Sequence, residues 1–393
     1  MSQGEVVITA IARTPIGNLS GELKNFTAPQ LASFAIEALL KRSGLEKNAV
    51  QEVILGCVLP AGVGQAPARQ AALGAGLPVS VGCTTINKVC GSGMKAIMFA
   101  NDMLRVGTQD IIIAGGMESM TNAPYLLTRA RQGYRLGNSE CLDHLLKDGL
   151  ENAYDGKHMG YFAEICANEN HFDRAAQDRF ALTSLERAKK AITEKYFARE
   201  IVPLTEKTRD GERIIDTDER PLSVNPEKMP RLSPVFMKDG TITAANASSI
   251  ADGAAAVLLM RAETAKKLGV KPIAKIVGQA THSQSPETFT TAPVSAIQSL
   301  LKKINWAIDD VDLFEINEAF AVVAMYAMKE LSIPHDKLNI HGGACALGHP
   351  VGATGARIIV TLISALQQHK LKRGIAALCI GGGEATAIAV EML

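Results

Sequence analysis

Four polar residues stand beside glycines or where an apolar run ends: Cys90 in NKVCGSG, Asn317 in EINEAF, His349 in GHPVGATG and Cys379 in CIGGG. A thiol nucleophile needs a base within hydrogen-bond reach, and carbonyl chemistry needs donors aimed at a developing oxyanion. This set supplies all three. Cys90 lies where a helix begins, and the unpartnered N–H groups and dipole of a helix start favour negative charge. Its thiol is therefore expected to ionise more readily than a free one. The glycines after Cys379, Gly381 among them, let backbone N–H groups approach a ligand without obstruction from a side chain.

Each of the four also has a purely structural reading. Cys90 and Cys379 can be small buried apolar residues, His349 a hydrogen-bonded loop histidine before a proline, and Asn317 a cap for a helix over residues 319–331. His341, Cys345 and His349 recur at four-residue spacing, but Gly342, Gly343 and Gly348 argue against the helix that a metal site with this spacing requires, so no metal is expected. No GxxxxGK[ST] or GxGxxG stands in a strand-to-helix context, which argues against nucleotide hydrolysis.

The elements that must position these residues follow from composition and pattern. A chain of 393 residues, 47% of them hydrophobic, can bury a large core. A formal net charge of +1 with scattered basic residues excludes the broad electrostatic footprint of a nucleic-acid or anionic-membrane binder. No apolar run approaches the roughly 20 residues of a membrane span. Seven cysteines without CxxC spacing fit free thiols in a reduced compartment, so a soluble cytoplasmic protein is expected.

Short apolar runs alternate with helical periodicity. VVITAIA is followed by a helix that Thr27 can cap with Pro29 in its first turn, then by EVILGCV and a second helix near residues 66–72. This is the βαβ rhythm of a mainly parallel sheet with helices on its faces. A distant repeat adds to it. Both Cys90 and His349 precede a glycine-rich turn, a helix, an apolar strand and a glycine cluster, which suggests a duplicated unit with corresponding ends facing one cleft. The expected division is a first half over 1–120, completed by 250–270, a second half over 271–393, and an insertion over 121–249. That insertion is rich in charge, Arg, Asn and Gly, holds one strong amphipathic helix at about 173–197, and is expected to cover the cleft mouth.

Taken together, these motifs resemble the thiolase family. NKVCGSG is similar to its nucleophile segment, NEAF to its asparagine motif, GGACALGHPVGATGAR to its histidine motif and CIGGG to its second-cysteine motif, in the same order. The likeness extends through ESMTNAPY, GKHMGYFAE, DRAAQDRFAL and TAANASSIADGAAA, so it spans essentially the whole chain. Three departures stand out: His341 replaces an asparagine before GGA, Thr354 a serine in the GASG stretch, and GGGEAT, with Glu384 and Ala385, the common GGGxG.

The resemblance implies an α/β fold of two βαβαβ-type halves packed together, with an inserted loop domain that binds coenzyme A and mediates assembly. It implies reversible condensation of two acetyl-CoA to acetoacetyl-CoA and CoA, with coenzyme A as substrate and product and no cofactor. Cys90 would accept the acetyl group, His349 would activate it, and Cys379 would move the α-carbon proton. Asn317, through a water, and His349 would stabilise the enolate, while the N–H groups of Cys90 and Gly381 would hold the thioester oxygen. Ser248 and Ala247 match the pantetheine tunnel, and His158 and Met159 match the HMG segment of short-chain members. Ala319 and Phe320 flank the asparagine, and Phe289 falls where short-chain members carry a bulky residue limiting acyl length. Residues 122–149 resemble a tetramerising loop, which implies a homotetramer. A 3-ketoacyl-CoA thiolase of broader or longer chain length is the alternative within the family. An acyl carrier would not need these four residues together, a decarboxylating ketosynthase would be expected to use a second histidine where this chain has Asn317, and a cysteine hydrolase leaves Cys379 without a role.

Overall fold

The computed structural model of the chain describes residues 4–209 and 211–393, so residues 1–3 of the expected first half lie outside it. Along the strand Ile111–Ser119, successive side chains enter two different cores. Ile111 and Ile113 pack with the outer helices Ala28–Ser43 and Pro67–Gly74, whereas Ile112 and Ala114 face a central pair of helices, Ser92–Val106 and Val351–His369. The two-residue period of a strand buried on both faces explains why it reads as a continuous apolar run. The strand Arg373–Ile380 does the same in the other half, with Ile375 and Ala377 toward the helices Ala292–Ile304 and Ala321–Leu331 and Ala376 and Leu378 toward the central pair. The layers therefore run helix, half-sheet, helix pair, half-sheet, helix. Each fully buried Ile or Leu of the central layer, such as Ile97 or Ile363, contributes roughly 1.5–3 kcal/mol of burial free energy.

The two half-sheets join at Val7↔Lys275 and Ile8↔Ala274. Outward from that junction, one half runs Val6–Arg13, Ala251–Arg261, Ile111–Ser119, Glu52–Gly56, and the other Ala274–Ser283, Glu384–Met392, Arg373–Ile380, Leu313–Ile316. The matching order makes the duplication visible in the topology. Beyond it, Gly82–Ile86 pairs with Glu52–Gly56, where the second half has, among the described residues, the single bridge Phe314↔Leu338.

The expectation of a mainly parallel sheet is corrected. Among the described residues, the strand pairings of Glu52–Gly56 with both its neighbours and of Leu313–Ile316 with Arg373–Ile380 are the parallel ones. The junction and the pairs made by Ala251–Arg261 and Glu384–Met392 are antiparallel. In each half one strand returns against its neighbours, and apolar patterning carries no record of strand direction.

Local signals hold where they were specific. Thr27 caps Ala28–Ser43 in a capping box with Gln30, Pro29 lies in the first turn, and Gly44 ends the helix at φ +66°. Residues 121–249 contribute no strand to the ten-stranded sheet among the described residues. Their helix Arg174–Thr193 places Phe180, Leu185 and Ala188 in one cluster with Leu300 and Phe314 of the second half. Arg13 fastens this segment to the first strand, its buried guanidinium 2.6 Å from Glu200 and 2.7 Å from Asp218.

The central helices touch closely at their N-terminal ends. A Cβ on Gly93 would lie 2.8 Å from the Ala356 nitrogen, and one on Gly355 would lie 2.5 Å from the Met94 nitrogen. The glycines of GSG and GATG thus let the two helix starts, with Cys90 and His349 just before them, converge on one cavity.

Candidate active site

Cys90 sits on a strained turn between the strand Gly82–Ile86 and the helix Ser92–Val106. Val89 has φ +46°, a left-handed conformation that costs a β-branched residue roughly 1–3 kcal/mol. Ser92 holds it there: its hydroxyl accepts from Lys88 N–H at 2.8 Å and donates to the Val89 carbonyl at 2.6 Å. Asn87 accepts from Val89 N–H at 2.8 Å.

The electrostatics correct the expectation of an easily ionised thiol. Burial pushes Cys90 up to about 11, and the backbone N–H groups of Gly381 and of Cys90 itself, which favour the thiolate, only partly offset it. The charge of Glu118 adds to the rise. Depth outweighs the helix start.

His349 is fixed by its neighbours on the second helix start. Its backbone N–H donates to the Ser249 carbonyl at 2.9 Å. Thr354 Oγ1 donates to the Pro350 carbonyl at 3.0 Å and lies 2.6 Å from His349 Nδ1. With the hydroxyl proton so committed, this network assigns the ring proton to Nδ1 and leaves the Nε2 lone pair free. Nε2 is buried and has no partner. Burial first, and then the charge of Arg357, holds the imidazole down at about 3, so it is a neutral base at physiological pH. The resting pair is a thiol and a neutral imidazole, and any proton transfer accompanies attack.

Cys379 is fully buried near the end of the strand Arg373–Ile380, packed with Phe289, Ala319 and Phe320. Burial, and then the nearness of Cys90, raises its thiol well above the usual range. The strand turns through Gly382 and Gly383 at φ +93° and +92°, a conformation that suits glycine. Asn317 does not cap a helix: the helix is Ala321–Leu331 and its N-cap is Phe320. Both polar atoms of the Asn317 amide are buried without a protein partner, which marks a place for a water or a ligand.

A cavity of about 330 Å³ brings the site together. Cys90, His349 and Gly381 line it, together with Ala247, Ser248, His158, Met159, Phe289, Ala319 and Phe320. Asn317 and Cys379 are not among the lining residues and stand behind the wall. His158 caps the helix Met159–Glu169, accepting from Gly160 N–H at 3.2 Å, and packs on Phe236 with ring centroids 4.7 Å apart and the planes tilted by 31°. His341 and Cys345 point elsewhere: the His341 ring packs on Tyr196, Phe197 and His369, and the Cys345 thiol faces the carbonyls of Asn246 and Glu318.

Sequence reasoning missed several residues here. Ser249 lines the cavity with a buried, unpartnered hydroxyl, and Arg220 and Phe236 also line it. Glu118, pushed up to about 7 by burial, accepts from the N–H groups of Val58 at 2.9 Å, Leu59 at 3.1 Å and Gly352 at 2.9 Å, tying the strand Ile111–Ser119 to the helix behind His349. Thr354 carried a usable signal, since a threonine one turn into a helix bonds back to the carbonyl four residues earlier.

The family model of the thiolase N-terminal domain matches residues 6–263, and that of the C-terminal domain matches residues 270–392. The chain belongs to the thiolase family. It is 47% identical over 393 residues to acetyl-CoA acetyltransferase of Schizosaccharomyces pombe, covering 100% of both chains. It is 48% identical to acetyl-CoA acetyltransferase 1 of Arabidopsis thaliana, over 99% of this chain and 94% of that one. The crystal structure of the Bacillus anthracis acetyl-CoA acetyltransferase superposes with a TM-score of 0.97 at 42% identity, covering 100% of both chains.

Proposed function

We propose that this protein is an acetyl-CoA C-acetyltransferase that condenses two acetyl-CoA to acetoacetyl-CoA and CoA, reversibly. The observation that carries the reading is full-length similarity to acetyl-CoA acetyltransferases, joined to one cavity lined by both Cys90 and a neutral His349 whose Nε2 is free.

In this reading Cys90 Sγ attacks the acetyl-CoA carbonyl while its proton passes to His349 Nε2. The N–H groups of Cys90 and Gly381, the two that favour negative charge on the Cys90 sulfur, receive the oxyanion. As the tetrahedral intermediate collapses, the departing CoA thiolate takes the Cys379 proton. Cys379 is then a thiolate and removes the α-proton of the second acetyl-CoA. The enolate, met by the His349 imidazolium and by a water on Asn317, attacks acetyl-Cys90. The released Cys90 thiolate recovers its proton from His349. Every proton is returned, and coenzyme A is substrate and product with no cofactor.

The buried Phe289 at the cavity wall supports short acyl groups over the longer chains of a broader 3-ketoacyl-CoA thiolase. Exposed Tyr125, Leu127, Tyr134 and Leu136 support a homotetramer assembled through residues 122–149. A cytoplasmic place in fatty acid metabolism belongs to the same reading. Rates with CoA and acetoacetyl-CoA, its 2-methyl derivative and longer 3-ketoacyl-CoAs test it: acetoacetyl-CoA should be cleaved fastest, and a preference for long chains would overturn the assignment. A monomer in sedimentation would remove the assembly part.

A further inference from the structure

The two turns that meet at the Cys90 thiol come from opposite halves of the chain. One is the strained turn of Lys88, Val89 and Cys90; the other is the glycine turn 381–383 that opens the strand Glu384–Met392. Their surfaces are in contact. A Cβ on Gly91 would fall 2.4 Å from Ile380 Cδ1, and one on Gly381 would lie 3.7 Å from Val89 Cγ1. The only side-chain hydrogen bond or ion pair between residues 82–92 and 380–384 among the described residues joins Lys88 Nζ to Glu384 Oε2. Both side chains are half-buried, so solvent screens the pair only in part.

We propose that the Lys88–Glu384 ion pair is a positioning clamp that keeps the Gly381 turn seated against the Cys90 turn. Gly381 has no side chain with which to anchor itself, and the next two glycines occupy the left-handed region without a Cβ to restrict them. The turn is tied on its far side, where Gln284 N–H donates to the Gly383 carbonyl at 2.7 Å. On the near side, Glu384 is the first residue with a side chain, and it grips the residue two positions before the nucleophile. The clamp therefore spans the two loops whose N–H groups must stay aligned as charge moves from sulfur to the substrate oxygen. It also gives a role to Glu384, which lies in the GGGEAT stretch where the chain departs from the family pattern. The pair acts through Gly381 and does not touch the reacting atoms.

This inference rests on Cys90 being the nucleophile, so one readout is chosen that needs no acetyl transfer. Lys88→Met and Glu384→Gln should each slow alkylation of Cys90 by iodoacetamide several-fold at fixed pH, measured by mass spectrometry of the Cys90 peptide, because the Gly381 N–H, which favours the thiolate, is no longer held in place. With acetoacetyl-CoA, each should lower kcat by about tenfold, short of the 10²–10³ lost when an oxyanion donor is removed outright, with KM within about twofold. The swapped pair Lys88→Glu with Glu384→Lys should recover most of both losses, and Lys88→Arg should retain activity. Wild-type alkylation and kcat in the single variants, or a swapped pair no better than they are, would overturn the clamp. If the single variants fail to fold, the swapped pair and Lys88→Arg carry the test by the same two measurements. A wild-type enzyme that alkylates at Cys90 yet transfers no acetyl group would instead remove the proposed function and leave the clamp to be judged by alkylation.

Discussion

The hydroxyl of Thr354 lies 2.6 Å from His349 Nδ1 and donates its own proton to the Pro350 carbonyl. One side chain thereby sets the tautomer, the ring orientation and the free lone pair of the base. Thr354→Val keeps the shape and removes the acceptor, so Nδ1 and Nε2 would compete for the ring proton. We expect kcat to fall by about a hundredfold, the lower end of what general-base catalysis contributes, with KM little changed. Thr354→Ser should retain activity, because it preserves the hydroxyl. Steady-state kinetics of both variants check this, and an active Thr354→Val enzyme would show that the tautomer is set elsewhere.

The second prediction concerns pH. Burial holds His349 at about 3 and pushes Cys90 up to about 11, so neither changes charge between pH 5 and 9. The pH profile of kcat/KM should lack the acid limb near 6.5 of an ordinary histidine. Glu118, at about 7, and Glu315, at about 8, both titrate in this window, and Glu118→Gln identifies any limb that Glu118 causes. The stability sign follows from proton counts. Below pH 6.5 the unfolded chain protonates this histidine while the folded protein does not until about 3, so the unfolded state binds more protons. The contribution of His349 to stability is therefore lost as pH falls from 6.5 toward 3, and His349→Asn should flatten that slope in urea unfolding series.

Phe289 is buried at the cavity wall beside Ala319 and Phe320. Phe289→Ala should enlarge the acyl site and raise relative activity on longer or branched 3-ketoacyl-CoAs by about tenfold, given ~1–3 kcal/mol for a pocket methylene. The truncation also costs about 3–5 kcal/mol of stability, so rates belong well below the melting temperature. An unchanged chain-length profile would show that another side chain limits the site.

How much of this was legible in the sequence divides along physical lines. Cys90, His349, Cys379 and Asn317 stood out because each carries polar chemistry beside glycines, in an order that resembles one family. The duplicated halves were legible because the two central helices and their following strands repeat the same pattern of glycine and apolar residues. Ser249 and Glu118 were not legible, because each matters through neighbours that only the fold brings near: the cavity for the Ser249 hydroxyl and the N–H groups of Val58, Leu59 and Gly352 for Glu118. The strand direction of Ala251–Arg261 was invisible because alternation is the same in either sense. The ionisation of Cys90 was misjudged for a related reason. A helix start is a local feature that can be read from NKVCGSG, whereas the depth that pushes its thiol up to about 11 belongs to the assembled cavity.

The division of labour between Cys90 and Cys379 is the most searching test. Cys90 opens onto the cavity, and Cys379 stands behind its wall with a thiol raised further by its neighbour. Acyl transfer to Cys90 precedes the α-proton step, so Cys379→Ser should still acquire label from radiolabelled acetyl-CoA while making little acetoacetyl-CoA. Its labelling should be slower than that of the wild type, because a serine hydroxyl gives up a proton to the departing CoA less readily than a thiol does. Peptide mapping should place that label on Cys90. Cys90→Ala should acquire none, and His349→Ala should be slow both in labelling and in turnover. Ping-pong kinetics of the wild-type enzyme should accompany this pattern. Stable label on Cys379 in the wild type would mean that the two thiols have exchanged roles. Free acetate as the dominant product would mean that water, and not a second acetyl-CoA, resolves the acyl enzyme.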